Sequence, residues 1–278
     1  MSEITEIIDS YKLFLEVKYP NHFKNYCSRL IAQPEGARAE AYIFSLLRTI
    51  FRDVKIAEDI STGGVDFFCA AEKTEIVLEV TCIESKAVAN QSGLSNEILD
   101  NEGTQFFSMI TRMLRTKASG KVPQISTQNV PRVLAITTEH IFGGALMGRH
   151  AAEFLLTSDT KIKIPLNKPI TDTGLITDLK DSVFFRINNG VFEPCRRSIS
   201  SILLVQFSSD KLFIVGLLHP DPIYSFPIEL FPTIPFLRLK KWPPEDNNIE
   251  TEWVIYSPSS AEFYYRPVKL KDQELRKI

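Results

Sequence analysis

Three acidic residues in the first third of the chain have the types and spacing that metal-assisted chemistry needs. Asp66 and Glu79 lie in segments 65–71 and 74–83, whose β-branched and aromatic residues predict two antiparallel strands. A two-residue loop between them places Asp66 directly opposite Glu79, whereas a longer loop would shift the partners. Like charges at facing positions destabilise a sheet unless a cation lies between them. The pairing therefore predicts a divalent metal ion shared by two carboxylates.

Glu40 adds a third acid from a separate element, a helix predicted over residues 35–51. It lies on the apolar face of that helix, which is formed by Ile43, Phe44, Leu47, Ile50 and Phe51. Glutamate is rarely buried without a partner, so the position indicates a metal ligand or a paired base. The alternative is a partly solvated position at the start of the helix, where the macrodipole favours an acid.

These segments resemble the PD-(D/E)xK nuclease superfamily, which has the restriction-endonuclease-like fold. The matching segments are AEAYIFSLL with Glu40, GGVDFFC with Asp66 and LEVTCI with Glu79. The resemblance covers residues 35–140 and implies that Glu40, Asp66 and Glu79 bind Mg²⁺ or Mn²⁺. It also implies that the next two elements are a helix over 104–117 and a strand at Val133. The implied function is metal-dependent hydrolysis of phosphodiester bonds in DNA or RNA.

The chain departs from the family at the lysine that follows the second acid. Thr81 stands there, two residues after Glu79 and on the same face of the strand. In the family this lysine helps to position and activate the attacking water, while the metal lowers the pKa of that water. A threonine hydroxyl can orient water but cannot neutralise charge. Lys86, just beyond the strand, and Lys117, on the later helix, are candidates to replace the lysine.

Several other polar residues are candidate contacts to nucleic acid. Gln105, Arg112 and Lys117 lie on the helix predicted over 104–117, and Arg196-Arg197 precede a strand. The alternative for each is a solvated surface side chain. A second function is therefore also compatible with Thr81: a catalytically inactive nuclease-fold protein that acts as a nucleic-acid-binding or protein-interaction module.

The elements that must position these residues follow from periodicity and turn residues. Helices are predicted at 3–16, 23–31, 35–51, 104–117 and 145–156, with a loop over 84–103 that contains one helical turn at 96–99. Strands are predicted at 54–58, 65–70, 75–83, 133–137, 159–166 and 252–256, with hairpins around Asn189-Gly190 and over 202–218. The proline-rich segment 220–244 is expected to be extended surface chain.

Together these predictions give an α/β protein with a restriction-endonuclease-like mixed sheet flanked by helices. We expect an N-terminal helical segment over 1–34, a nuclease-like core over 35–140 and a β-rich C-terminal part over 141–278. The C-terminal part is expected to pack on the core as one unit.

Composition sets limits on the function. The chain has 278 residues, of which 44% are hydrophobic and 24% charged, and its net charge of −2 argues against bulk polyanion binding. The four cysteines form no CxxC pair, so neither a zinc ribbon nor a disulfide framework is indicated. The absence of an 18-residue apolar run and the acidic N-terminus predict a cytoplasmic protein. The expected partner is nucleic acid, DNA rather than RNA, and the candidate assembly is a homodimer.

Overall fold

The fold is α/β, with a large mixed sheet that has helices on both faces. The computed structural model describes residues 3–61, 63–71, 74–92, 112–121, 129–140, 147–157, 161–163, 174–176, 179–208, 211–244, 249–255 and 264–265. The helices are α1 (Glu3–Lys18), α2 (Pro20–Ala32), α3 (Pro34–Ile50), α4 (Ser85–Ser92), α5 (residues 112–121) and α6 (Arg149–Thr157). A short 3-10 helix follows at Ile228–Leu230.

The strands fall into one large sheet and two small hairpins. The large sheet contains β1 (Asp53–Ile56), β2 (Phe67–Ala71), β3 (Thr74–Ile83), β4 (Arg132–Thr138), β9 (Ser201–Ser208), β10 (Lys211–Leu218), β11 (Phe236–Leu239), β12 (Thr251–Val254) and β13 (Tyr264–Tyr265). The hairpins are β5 (Lys161–Lys163) with β6 (Gly174–Ile176) and β7 (Phe185–Asn188) with β8 (Val191–Pro194).

The large sheet mixes antiparallel and parallel neighbours in the order β1-β2-β3-β4-β9-β10-β11-β12. Strand β2 is antiparallel to both β1 and β3, whereas β3, β4 and β9 run parallel to one another. Beyond them β9 and β10 are antiparallel, β10 and β11 parallel, and β13 pairs with the start of β10. Because β4 pairs with β9, one sheet continues across the boundary predicted at residue 140.

Each face of the sheet is covered by its own apolar layer. Helices α1, α2 and α3 cover one face, where Phe14 and Phe44 pack in a cluster with Leu78 of β3. Helices α5 and α6 cover the other, where Leu114 and Leu155 join a second cluster. Side chains alternate along a strand. Ile76 and Leu78 therefore lie towards α3, while Val77, Glu79, Thr81 and Ile83 lie on the face that α5 covers.

The structure confirms α1 to α3, the first three strands, β4 and the hairpins that the sequence predicts. At Asn189 and Gly190 φ is positive, 49° and 78°, as the predicted Asn-Gly turn requires. Two predictions are wrong. Ser85–Ser92 is a helix rather than a loop, and the proline-rich segment contains the buried strand β11. The helical turn predicted at 96–99 lies outside the described residues, as do residues 104–111 of the predicted long helix.

Candidate functional site

The first hairpin has the register that the two-residue loop predicts. Ala71 pairs with Thr74 and Phe67 with Leu78, so Asp66, the residue before β2, comes opposite Glu79. The backbone carbonyl of Asp66 accepts a hydrogen bond from the amide of Ala57, 2.9 Å away, which continues the pairing of the first two strands. Two carboxylates are therefore brought to the same position of neighbouring strands.

The Asp66 side chain binds back to β3. Its Oδ2 accepts a hydrogen bond from the backbone amide of Val80 at 2.6 Å. Burial raises the pKa of Asp66 well above 3.8, and the charges of Glu79 and Glu40 raise it further, although the Val80 amide opposes them. The negative charge around Asp66 is therefore concentrated and incompletely compensated.

Glu79 is held by a lysine that the sequence analysis did not select. Lys121 Nζ on α5 lies 2.6 Å from Glu79 Oε1. Glu79 is only 2% exposed, and its Oε2 is buried without a hydrogen-bond partner among the described residues. Burial raises the pKa of Glu79, and the ion pair with Lys121 offsets part of that rise. Oε2 of Glu79 is thus a buried carboxylate oxygen without a hydrogen-bond partner in the described residues, next to the ammonium group of Lys121.

Helical spacing explains how Lys121 reaches the sheet. Leu114 and Ala118 are the buried residues of α5, and Lys121 follows them at i+7 and i+3, on the same helical face. The helix predicted over 104–117 ends one turn before Lys121, because Gly120 and Pro123 are typical of a linker. Extending the apolar row by one turn would have identified Lys121.

Glu40 is buried on the apolar face of α3, as predicted, and it has two partners from the N-terminal helices. Tyr11 Oη donates a hydrogen bond to Oε1 at 2.7 Å, and Arg29 Nη2 lies 2.6 Å from Oε2. Burial raises the pKa of Glu40, while Arg29 and then Tyr11 lower it. The carboxylate is therefore paired within the protein, one of the two roles that its position indicated.

The three acids approach from two sides of the sheet. Glu40 belongs to the layer of α1 to α3, whereas Glu79 pairs with α5, and Asp66 at the end of β2 is influenced by both. Within the ranges described above, no three His, Cys, Asp or Glu side chains are grouped so that they could hold a metal ion. Asp66 and Glu79, which we call the hairpin acids, nevertheless supply the carboxylate oxygens that Mg²⁺ prefers as ligands. Oε2 of Glu79 is buried and has no hydrogen-bond partner among the described residues.

A fourth acid, Glu58, lies in the connection between β1 and β2. Its charge contributes to the raised pKa values of Glu40, Asp66 and Glu79. With Tyr19 and His22 it lines a groove of about 540 Å³, and the Glu58 carbonyl lies 2.8 Å from His22 Nε2. The sequence predicts Glu58 as the last residue of a strand over 54–58 and not as a site residue, whereas the observed strand β1 ends at Ile56.

The other candidates lie at varied distances from the hairpin acids. Thr81 is buried on the Glu79 face of β3, and its carbonyl accepts a hydrogen bond from Thr137 Oγ1 at 3.3 Å. Lys86 and Arg112 are exposed, on α4 and α5, and Lys117 is half-buried near Cys82. Gln105 lies outside the described residues. Among the described residues, Lys121 rather than Lys86 or Lys117 contacts one of the two acids of the hairpin, Glu79.

No helix in the described part of the chain is both long and apolar enough to cross a membrane. Comparison of the chain with protein-family models, curated proteins and solved structures found no match.

Proposed function

We propose that this chain is a metal-dependent nuclease with a restriction-endonuclease-like core, in which Lys121 replaces the motif lysine. The observation that carries the proposal is the contact of 2.6 Å between Lys121 Nζ and Glu79 Oε1, on a hairpin that also presents Asp66. The cation comes from α5 instead of β3, so Thr81 no longer has to supply charge.

The order of the elements also supports the proposal. From α3 to β4, a glutamate-bearing helix is followed by three antiparallel strands, the helices α4 and α5, and a strand parallel to β3. The resemblance implied this succession with one helix before β4, and α4 is additional to it. Asp66 and Glu79 are the residues that would hold Mg²⁺, whose contribution would be to polarise the phosphate and to lower the pKa of a bound water.

The residues of the chain supply the rest of the reaction. The Val80 amide orients the Asp66 carboxylate, and Lys121 offers a positive charge that stabilises the negative charge developing on a phosphate oxygen. Thr81, on the same strand face, can orient water through its hydroxyl. Removing one such electrostatic group lowers kcat by roughly 100-fold.

A cleavage assay tests the role of Lys121. Duplex and single-stranded DNA and RNA are incubated with Mg²⁺ and either the wild type, Lys121→Gln or Lys117→Gln. We expect cleavage by the wild type, a loss of about 100-fold in Lys121→Gln and little change in the Lys117→Gln control, one turn earlier on the helix. Equal activity of the two variants would overturn the assignment of Lys121.

A second function, an inactive nuclease-fold module, is favoured by the pairing of Glu40 with Arg29 and Tyr11. The two functions differ in their response to metal. A nuclease site should raise the melting temperature on titration with Mg²⁺ or Mn²⁺, and Asp66→Asn should abolish the rise. A wild type that neither responds to the metals nor cleaves any of the nucleic acids would support the module instead.

A further inference from the structure

Three arginines meet on the side of α5 that faces α6 and the turn after β8. Arg115 Nη2 donates to the carbonyl of Phe154 at 3.3 Å. Arg196 Nε and Nη2 donate to Ser119 Oγ at 3.0 and 2.6 Å, which joins the turn to α5. Arg112 lies one turn before Arg115 and is exposed. We call Arg112, Arg115 and Arg196 the arginine patch.

The hydrogen bonds of the arginine patch within the described residues go to neutral acceptors. Over the described ranges, none of its members forms an ion pair with a carboxylate, and their hydrogen-bond acceptors are neutral: Ser119 Oγ, Cys195 Sγ and the carbonyls of Phe154 and Val183. Five other arginines do have carboxylate partners, namely Arg29, Arg38, Arg186, Arg197 and Arg238. The three arginines of the patch are therefore close together without an ion-pair partner among the described residues.

The cluster is costly to the folded chain alone. Arg115 Nε is buried without a partner. Burial lowers the pKa of Arg115, and the charges of Arg196 and Arg112 lower it further, against an opposing effect of Asp181. Arg196 also has φ of 56°, a left-handed conformation that is uncommon for a residue with a long side chain. A multivalent anion would relieve the repulsion between the guanidinium groups.

We infer that the arginine patch binds the phosphate backbone of the nucleic acid on which the proposed nuclease acts. The inference rests on that proposed function. Guanidinium groups bind phosphate in a bidentate geometry, and their charge does not titrate away near neutral pH. Arg112 and Arg115 lie on the same helix as Lys121, but Arg112, nine residues away, lies on the opposite side of that helix, so the patch is a contact surface separate from the Lys121 site.

Binding in the absence of metal tests the inference separately from catalysis. A fluorescently labelled 20-base-pair DNA duplex is titrated in EDTA with the full-length wild type, Arg112→Gln, Arg196→Asn and the double variant. Asparagine tolerates positive φ, so Arg196→Asn preserves the turn. The control is Arg52→Gln, which removes an exposed arginine after α3, on the opposite face of the sheet.

We expect each single variant to bind about threefold or more weakly, and the double variant to reduce the slope of log K against log salt by about 2. The Arg52→Gln control should match the wild type. A wild type that binds no duplex, or patch variants that bind as tightly as Arg52→Gln, would overturn the inference.

Cleavage with Mg²⁺ on the same duplex distinguishes the two proposals. Patch-dependent binding without cleavage supports the arginine patch and contradicts the nuclease. If the wild type cleaves the duplex and the patch variants bind it as tightly as the wild type, the result supports the nuclease and contradicts the role of the arginine patch. RNA and single-stranded DNA probes show whether the duplex is preferred.

Discussion

At the scale of single residues, the first hairpin holds more negative charge than its cations neutralise. Lys121 faces Glu79 and Arg29 faces Glu40, but Asp66 has only the Val80 amide as a partner in the described contacts. Burial raises the pKa of each of these three carboxyls. Close, buried carboxyl groups with raised pKa values are typical of functional sites, where they lower the stability of the protein and bind a ligand.

The pKa of Asp66 predicts how stability depends on pH. Because the pKa of Asp66 is raised in the folded state, the folded protein keeps this proton at pH values above 3.8 at which the unfolded chain has lost it. The free energy of unfolding therefore decreases as the pH rises from 3.8 to the raised pKa of Asp66. Asp66→Asn removes the charge and retains an oxygen for the Val80 amide, so we expect it to stabilise the metal-free protein at pH 7.

The measurement is the melting temperature of both proteins in EDTA from pH 4 to pH 8. The Asn variant should melt at least about 2 °C higher at pH 7, a shift that corresponds to roughly 1 kcal/mol in a chain of this size. The difference should shrink towards pH 4. A wild type that melts above the variant at pH 7 would show that Asp66 is compensated in the folded protein.

At the scale of elements, the sequence predicts what local pattern determines and misses what distant contacts determine. The hairpin register and the apolar face of α3 follow from periods of 2.0 and 3.6 residues. Helix α4 contains two Ser, one Asn and one Gln, and its first residue is bound from far away in the sequence, because Glu35 Oε2 accepts hydrogen bonds from the amide and hydroxyl of Ser85. No local pattern contains that contact.

Strand β11 was missed for a similar reason. The prolines around it indicate irregular chain, but Phe236 lies over Gly216 of β10, and Gly216 donates its amide to the carbonyl of Pro235 at 2.8 Å. A Cβ at Gly216 would lie 2.1 Å from the Phe236 ring. The parallel pair thus depends on a glycine and an aromatic ring that are far apart in sequence.

Two glycine substitutions test the importance of this contact. Gly216→Ala should destabilise the protein by about 2 kcal/mol or more, since the Phe236 ring must move. Gly120→Ala, on α5, meets nothing within 4 Å and should stabilise by about 0.5–1 kcal/mol. Urea denaturation followed by circular dichroism measures both. Equal effects of the two substitutions would contradict the close approach of β10 and β11.

At the scale of the whole molecule, the N-terminal helices and the sheet share one apolar layer. Tyr11 of α1 packs with Phe44 of α3, with ring centroids 4.8 Å apart, and donates its hydroxyl to Glu40. Residues of β4 and β9 join the same layer. Loss of a contact in α1 should therefore lower the stability of the entire chain, including strands at the far edge of the sheet.

Tyr11→Phe and Tyr26→Phe form a matched pair for this test. Both tyrosines are 1% exposed, but only Tyr11 binds Glu40, whereas Tyr26 Oη is buried without a partner in the described residues. Removing the hydroxyl of Tyr11 should cost about 1–3 kcal/mol, because Glu40 loses a donor. Removing that of Tyr26 should cost nothing or stabilise, because an unsatisfied polar group is lost.

The two tryptophans make the readout global. Trp242 lies just after β11 and Trp253 lies in β12, at the edge of the sheet opposite β1. Their fluorescence therefore reports on the edge of the sheet formed by β11 and β12. We expect Tyr11→Phe to shift the urea midpoint of fluorescence and of circular dichroism equally, as in two-state unfolding. A fluorescence midpoint that stays at the wild-type value, while circular dichroism shifts, would mean that the N-terminal helices unfold independently of the sheet.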